Sequence, residues 1–242
     1  MRPAARRQTG NATAVAHKVS SELRLTMGVS SSLCPPGARI MGFSRRWLLG
    51  AALTGLASAV ARPAFTHIAG IAGGVAPGLL RRALDALELH GDLIAHRDFL
   101  GIVDFSLPSR SPRFHLLNLT DGSVRSHWVA HGRGSDPAHT GWLERFSNEP
   151  RSNATSAGAY RTDSSYLGAH GHSLRLEGRD LTNSNAAARA VVVHGAWYVS
   201  EDMIGHWGML GRSEGCFAIS HASLDEVLTR LGPGRLIYAA KA

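Results

Sequence analysis

The run Ala190-Val-Val-Val-His194-Gly195 sets three β-branched residues in a row and ends them at a histidine. Valine is stiff about χ1 and packs well on a pleated surface, so the run predicts a buried strand that delivers His194 to its end. After a polar loop comes Gly211-Arg-Ser-Glu-Gly-Cys216-Phe-Ala-Ile219, which reads as a Gly-rich turn presenting a cysteine at the start of a second short apolar strand. A thiol and a histidine on neighbouring strand ends are the minimum equipment for thiolate nucleophilic catalysis.

Charge excludes one class of function. The chain of 242 residues carries a formal charge of +8, which invites a nucleic-acid reading. Residues 1–40 hold six basic residues against one acidic, and residues 41–61 add Arg45 and Arg46. Residues 62–242 hold 18 basic and 17 acidic residues. The basicity belongs to the leader, so the folded part lacks the electrostatic footprint of a DNA- or RNA-binding domain.

Residues 1–40 lack sustained periodicity and read as an unstructured extension, or as sequence translated upstream of a true start at Met41. From Met41 a basic segment with Arg45-Arg46 precedes an apolar run over Leu48–Ala61 that ends in Ala59-Val-Ala61. This is the pattern of a cleavable signal peptide, and the paired arginines are similar to a twin-arginine signal. The run is too short to span a bilayer, which takes about 20 residues. An exported protein, in the periplasm or cell envelope, is expected, with membrane contact only through the signal. Its two cysteines are Cys34 and Cys216. Cleavage would leave Cys216 as an unpaired thiol, worth reading as reactive.

Residues 62–97 read as a linker and a helix. Pro77 opens that helix, Leu80, Ala83, Leu84 and Leu87 keep its spacing, and His90-Gly91 closes it. From residue 98 to 242 the pattern is mainly β. Strands are expected over Leu100–Leu107, over Phe114–Leu119 and Val124–Ala130 around the hairpin signal Thr120-Asp-Gly-Ser123, and at Tyr160, Leu174–Leu176, Val191–Val193 and Arg235–Ala240. The stretch from Ala138 to Thr155 is too polar to be core and reads as a functional or mobile loop. Ser223-Leu-Asp-Glu226 reads as a capping box for a second helix, near the C-terminus, stopped by Gly232-Pro233.

A free thiol is a modest nucleophile at neutral pH, and a neighbouring histidine can take its proton. That histidine needs an acceptor on its other nitrogen, and backbone N–H groups in the turn entering the cysteine can form an oxyanion hole. From composition alone, Cys216 reads equally as a buried structural thiol and His194 as a satisfied strand-end histidine.

At this point the residues resemble a known family. His194-Gly195 followed by Ser213-Glu-Gly215-Cys216 is similar to the His-Gly…Ser-His-Gly-Cys signature of L,D-transpeptidase catalytic domains of the YkuD type. Thr155-Ser-Ala-Gly158-Ala-Tyr160 is similar to that family's Thr-Pro-x-Gly-x-Phe segment. A divergent murein L,D-transpeptidase branch resembles the chain across about 98–221, at His131-Gly-Arg-Gly-Ser135, Phe146-Ser-Asn148, Tyr166-x-Gly168, His170-Gly-x-Ser-Leu174, Gly178, Asn185 and Gly211-Arg-Ser-x-Gly-Cys216. The resemblance implies a β-sandwich-like fold and peptidoglycan stem peptides as substrate. It implies Cys216 as nucleophile, His194 as general base and the Gly195 carbonyl as its orienting acceptor. It also implies that the amides of Glu214, Gly215 and Cys216 face an oxyanion, with Ser213 supporting the turn. The expected product is a 3→3 crosslink through a Cys acyl-enzyme, or, with water as acceptor, the product of an L,D-carboxypeptidase. Arg212 is a candidate for a substrate carboxylate. Glu214 stands where the common motif has histidine, and Ala218 where arginine or asparagine often follows, so both bear on substrate contacts.

Other readings compete. His170, His172, His131 and His139 invite a zinc hydrolase, but the His-x-x-x-His spacing with a carboxylate is absent, and no metal or cofactor is expected. His170, His172 and His206 are candidates for the substrate groove. Trp197 and Tyr198 read as strand packing rather than stacking partners. A non-catalytic cell-wall binding module that kept the fold is the alternative from another class.

Overall fold

The computed structural model describes residues 73–242. The expected extension over 1–40, the expected signal peptide over 41–61 and the part of the expected linker before residue 73 lie outside the described residues.

Helix α1 (Pro77–Leu89) starts at Pro77, whose missing N–H is one of the unpaired donors of any first turn. It buries Leu79, Leu80, Ala83, Leu84, Ala86 and Leu87 on one stripe. At its end His90 Nε2 meets Asp180 Oδ1 at 3.0 Å, and Asp180 Oδ2 accepts the Ala159 amide at 2.7 Å. The helix end is thereby tied to the sheet.

Nine strands follow among the described residues: β1 (Phe99–Asp104), β2 (Phe114–Asn118), β3 (Val124–His127), β4 (Val129–Ala130), β5 (Gly158–Gly168), β6 (Gly171–Gly178), β7 (Val192–Gly195), β8 (Phe217–Ile219) and β9 (Leu236–Ala240). They form one hydrogen-bonded sheet in the order β3-β2-β1-β9-β5-β6-β7-β8-β4. Its two edge strands, β3 and β4, are separated in sequence by Trp128 alone. A sheet whose opposite edges are one residue apart must close on itself, which gives the sandwich-like fold expected from the sequence.

Alternation along β9 shows how the faces are used. Leu236 and Ala240 join Leu100, Ile102 and Leu117 in a core under α1. Ile237 and Ala239 turn the other way, into a core with Phe105, Phe114, Tyr160, Leu174, Val193 and Phe217. Helix α3 (His221–Arg230) contributes Leu224, Val227 and Leu228 to that second core. Removing a side chain such as Phe217 there would cost about 3–5 kcal/mol.

Four local expectations are corrected. The cap of α3 is Ser220, whose Oγ accepts the Ser223 amide at 3.3 Å, so the helix begins a turn before the Ser223 box. Helix α2 (Glu201–Trp207) is not expected from the sequence: it is seven residues long and has no fully buried residue, with Ile204 only partly buried against a small core. Its signals are local: Ser200 caps it, Glu201 and Asp202 fill its first turn, and Gly208 ends it at φ +70°. Trp197 and Tyr198 sit in the turn after β7 rather than in a strand, and Trp197 is 73% exposed. The polar stretch before Thr155 is not a loose loop: Leu143, Ala154 and Thr155 are buried, and the segment folds back on itself through Ser147 N–H to Thr155 O at 3.0 Å.

Candidate active site

Parallel pairing of β7 with β8 sets Val193 opposite Phe217 and His194 opposite Ala218. One residue earlier, Cys216 falls opposite Val192. Side chains alternate along a strand, so Val193 and Phe217 enter the core while Val192, His194 and Cys216 share the other face. There they line a cavity of about 770 Å³ between the tip of the β5–β6 hairpin and the turn 212–216.

His194 has a defined tautomer. Its Nδ1 lies 2.9 Å from the Gly195 carbonyl oxygen, which only accepts, so Nδ1 carries the proton and Nε2 keeps its lone pair. The His170 ring stacks on it at 4.5 Å between centroids. Burial holds His194 below the ordinary imidazole range; the Gly195 carbonyl opposes this, and His170 and His221 add to it. A Cβ at 195 would stand 2.6 Å from His221 Nδ1 and 3.0 Å from Leu224 Cδ2, so a side chain there would push both aside.

Burial pushes the Cys216 thiol up, against the Val192 N–H and the Arg189 charge, which favour thiolate; Glu214 works with the burial. The thiol donates to Ala190 O at 3.6 Å. Ala190 itself holds φ +53°, a left-handed conformation that a non-glycine residue adopts at a cost. Burial thus disfavours the charged form of both groups.

The turn carrying the thiol is templated by the segment after β4. Ser213 N–H donates to His131 O at 2.9 Å and Arg133 N–H to Ser213 O at 2.8 Å. Ser213 Oγ donates to Cys216 O at 2.7 Å and accepts the Gly215 amide at 3.1 Å. That last bond engages the Gly215 N–H within the turn itself. Gly215 holds φ +116°, and a Cβ there would lie 2.8 Å from Ala154 O and 3.1 Å from Arg189 Nη2.

Beneath this segment runs a buried polar chain. Arg113 Nη2 donates to His131 Nδ1 at 2.7 Å, so the proton of neutral His131 sits on Nε2, facing Asp136 Oδ2 at 3.3 Å. Burial, reinforced by Arg113, pulls His131 down to about 4, and burial lowers Arg113 to about 9. Burial works to raise Asp136, but hydrogen bonds from Thr140, Gly141 and His131 leave it below the ordinary carboxylate value. The Asp136 carbonyl in turn receives Arg212 Nη1, as does Pro137 O at 3.1 Å.

Of the residues singled out in the sequence, Cys216, His194, Ser213, Arg212, Glu214 and His170 line the cavity, with Gly195 and Gly215 in its backbone framework. His172 lies across from Leu167 in the hairpin, and His206 rides on α2 with its Nδ1 on Asp202 O at 2.9 Å; neither lines it. Glu214 points to Arg133 at 3.0 Å, with both side chains more than half exposed. Tyr198, read as packing, lines the cavity, and burial pushes its hydroxyl up to about 12. Tyr166, noted only as part of the Tyr166-x-Gly168 resemblance, lines it too, as does Arg189, which carried no signal in the sequence. Among the described residues, no group of three or more His, Cys, Asp or Glu side chains is placed to hold a metal ion.

Residues 73–240 match the family model described as L,D-transpeptidase catalytic domain, and the chain belongs to that family. Solved structures similar to it include an L,D-transpeptidase from Mycobacterium smegmatis, at 16% identity over 59% of this chain and 58% of that one, with a TM-score of 0.36. Others are L,D-transpeptidase 3 from Mycobacterium tuberculosis in complex with a faropenem-derived adduct (13%, 60% and 60%, 0.39) and the helical cell shape determining protein Pgp2 from Campylobacter jejuni (14%, 69% and 57%, 0.40). The chain spans less than two thirds of the length of each. No curated protein matches the chain.

Proposed function

We propose that the protein is an exported L,D-transpeptidase that acts on peptidoglycan stem peptides through a Cys216 acyl-enzyme. The observation that carries the reading is the shared face of Cys216 and His194, with His194 Nδ1 fixed on Gly195 O and Nε2 left as a base. His194 Nε2 takes the thiol proton as Sγ attacks the carbonyl between diaminopimelate and the terminal D-alanine. The Glu214 and Cys216 amides meet the oxyanion, and His194 returns the proton to the leaving amine, freeing D-alanine and leaving a thioester. An amine of a second stem then attacks the thioester, His194 takes its proton, and a 3→3 crosslink forms as the thiol is restored. Arg212, held on two carbonyls with no carboxylate partner among the described residues, is available for a substrate carboxylate.

Export rests on the segment over 41–61. No helix among the described residues is long and apolar enough to cross a membrane. With water as acceptor the same site would act as an L,D-carboxypeptidase. Mass spectrometry of products from a tetrapeptide muropeptide separates these outcomes. A dimer formed with loss of one D-alanine supports transpeptidation, monomeric tripeptide alone supports the carboxypeptidase, and unchanged substrate with bound muropeptide supports a binding module.

A further inference from the structure

The run into β7, Ala187-Ala-Arg189-Ala190, places an arginine against the nucleophile's turn. The guanidinium of Arg189 is held by the loop over 147–154. Nη1 donates to Ser147 O at 2.8 Å, and Nη2 donates to Ser152 Oγ at 3.3 Å and to Ala154 O. None of these acceptors is a carboxylate, so the fork is fixed while its charge stays uncompensated. The same Nη2 occupies the space beside Gly215 that a side chain would fill, and Ala154 O fills the rest. Loop, arginine and turn are one packed unit, with the sulfur on the adjoining residue.

Two other arginines, Arg151 and Arg212, line the same cavity, and Arg212 keeps its charge on the Asp136 and Pro137 carbonyls, but it is the Arg189 Nη2 that packs against Gly215. Burial holds His194 weakly basic and Tyr198 un-ionised, the His170 ring stacks on His194, and Glu214 is an anion on the turn itself. The position of the common motif's histidine holds Glu214, which turns to Arg133.

We infer that Arg189 is a positioning residue for Cys216, bracing the Gly215 turn against the 147–154 loop and supplying a fixed positive charge at the turn that carries the sulfur. The inference rests on the reading of Cys216 as the nucleophile. Its physical content is that an attacking thiolate in this half-buried place needs a nearby cation, and the Arg189 charge acts on the sulfur in that sense.

The test is the pH dependence of iodoacetamide alkylation in the full chain, read at the Cys216 peptide so that Cys34 does not contribute. Arg189→Gln keeps amide donors for the loop carbonyls and removes the charge; Arg189→Lys keeps the charge. Arg189→Gln should slow alkylation about tenfold at pH 7, raise its midpoint by about one pH unit, and converge with wild type once the thiol is fully ionised. Arg189→Lys should keep the wild-type midpoint. Equal slowing of Arg189→Gln at every pH, or an unchanged midpoint, would overturn the inference. If Arg189→Gln fails to fold, the wild type still decides: chloride reaches a guanidinium lining an open cavity, so 1 M KCl should raise the midpoint, and a fixed midpoint counts against the role. Normal alkylation without acylation by a carbapenem would instead sink the acyl-enzyme reading and leave Arg189 standing.

Discussion

His194 donates its Nδ1 proton to the carbonyl oxygen of the next residue, Gly195, at 2.9 Å, so the strand that delivers the base also fixes its tautomer. No carboxylate is needed for that task. A carbonyl orients the ring without adding a negative charge, and burial then keeps the imidazole weakly basic.

Acylation by this pair therefore requires a neutral His194 and a protonated thiol. Activity should fall at acid pH as His194 protonates, with the limb below the ordinary 6.5, because burial depresses that group. It should fall again above the ordinary thiol value of 9.0, because burial raises Cys216 and a thiolate formed in bulk leaves no proton for the departing amine. A pH–rate profile of carbapenem acylation checks both limbs. An acid limb at or above 7 would contradict the arrangement. His194→Gln should lower the rate about 10²–10⁴-fold at pH 7.

Ser213 and Glu214 are neighbours with opposite expectations. Ser213 Oγ bridges the Gly215 amide and the Cys216 carbonyl, so Ser213→Ala leaves two backbone groups of the turn without their partner. Its acylation rate should drop about tenfold or more, with the melting temperature lowered by a few degrees. Glu214 makes only an exposed pair with Arg133, so Glu214→Ala should change the rate by less than about threefold. Stopped-flow fluorescence of the two variants makes the comparison, and a collapse in Glu214→Ala would reveal a catalytic carboxylate.

The buried Arg113–His131–Asp136 chain makes stability depend on pH. His131 in the unfolded chain takes a proton near 6.5, while in the folded protein burial delays this to about 4. Between those values the unfolded state binds more protons, so stability present above 6.5 is lost as pH falls toward 4. The size is about 3 kcal/mol from this one group. The depressed His115, His127 and His194 act in the same direction. Denaturant midpoints at pH 7.5 and 4.5 should differ accordingly, and equal midpoints would show that His131 is not held neutral.

Much of this site is legible in the sequence, for physical reasons. A β-branched run ending in His-Gly and a Gly-rich turn entering a cysteine announce backbone geometry, and geometry places Cys216, His194, Ser213 and Arg212 on one cavity. What stays hidden is whatever depends on tertiary position. Arg189 sits among alanines with no motif of its own, and only the fold brings it to Gly215. Helix α2 spans seven residues and buries none fully, so its few apolar residues set no extended periodicity. The Ala138–Thr155 stretch reads as exposed because polar residues outnumber its few core-facing ones, Leu143 and Ala154 among them, and hydrogen bonding holds its polar groups inside, as between Thr155 N–H and Ser135 Oγ at 2.9 Å.

The central claim is that Cys216 is an activated nucleophile. The most direct measurement is the intact mass of the full chain after incubation with a carbapenem, alongside the Cys216→Ala variant. The account predicts one covalent adduct per chain in the wild type and none in the variant. No adduct, or an adduct that persists in Cys216→Ala, would contradict it.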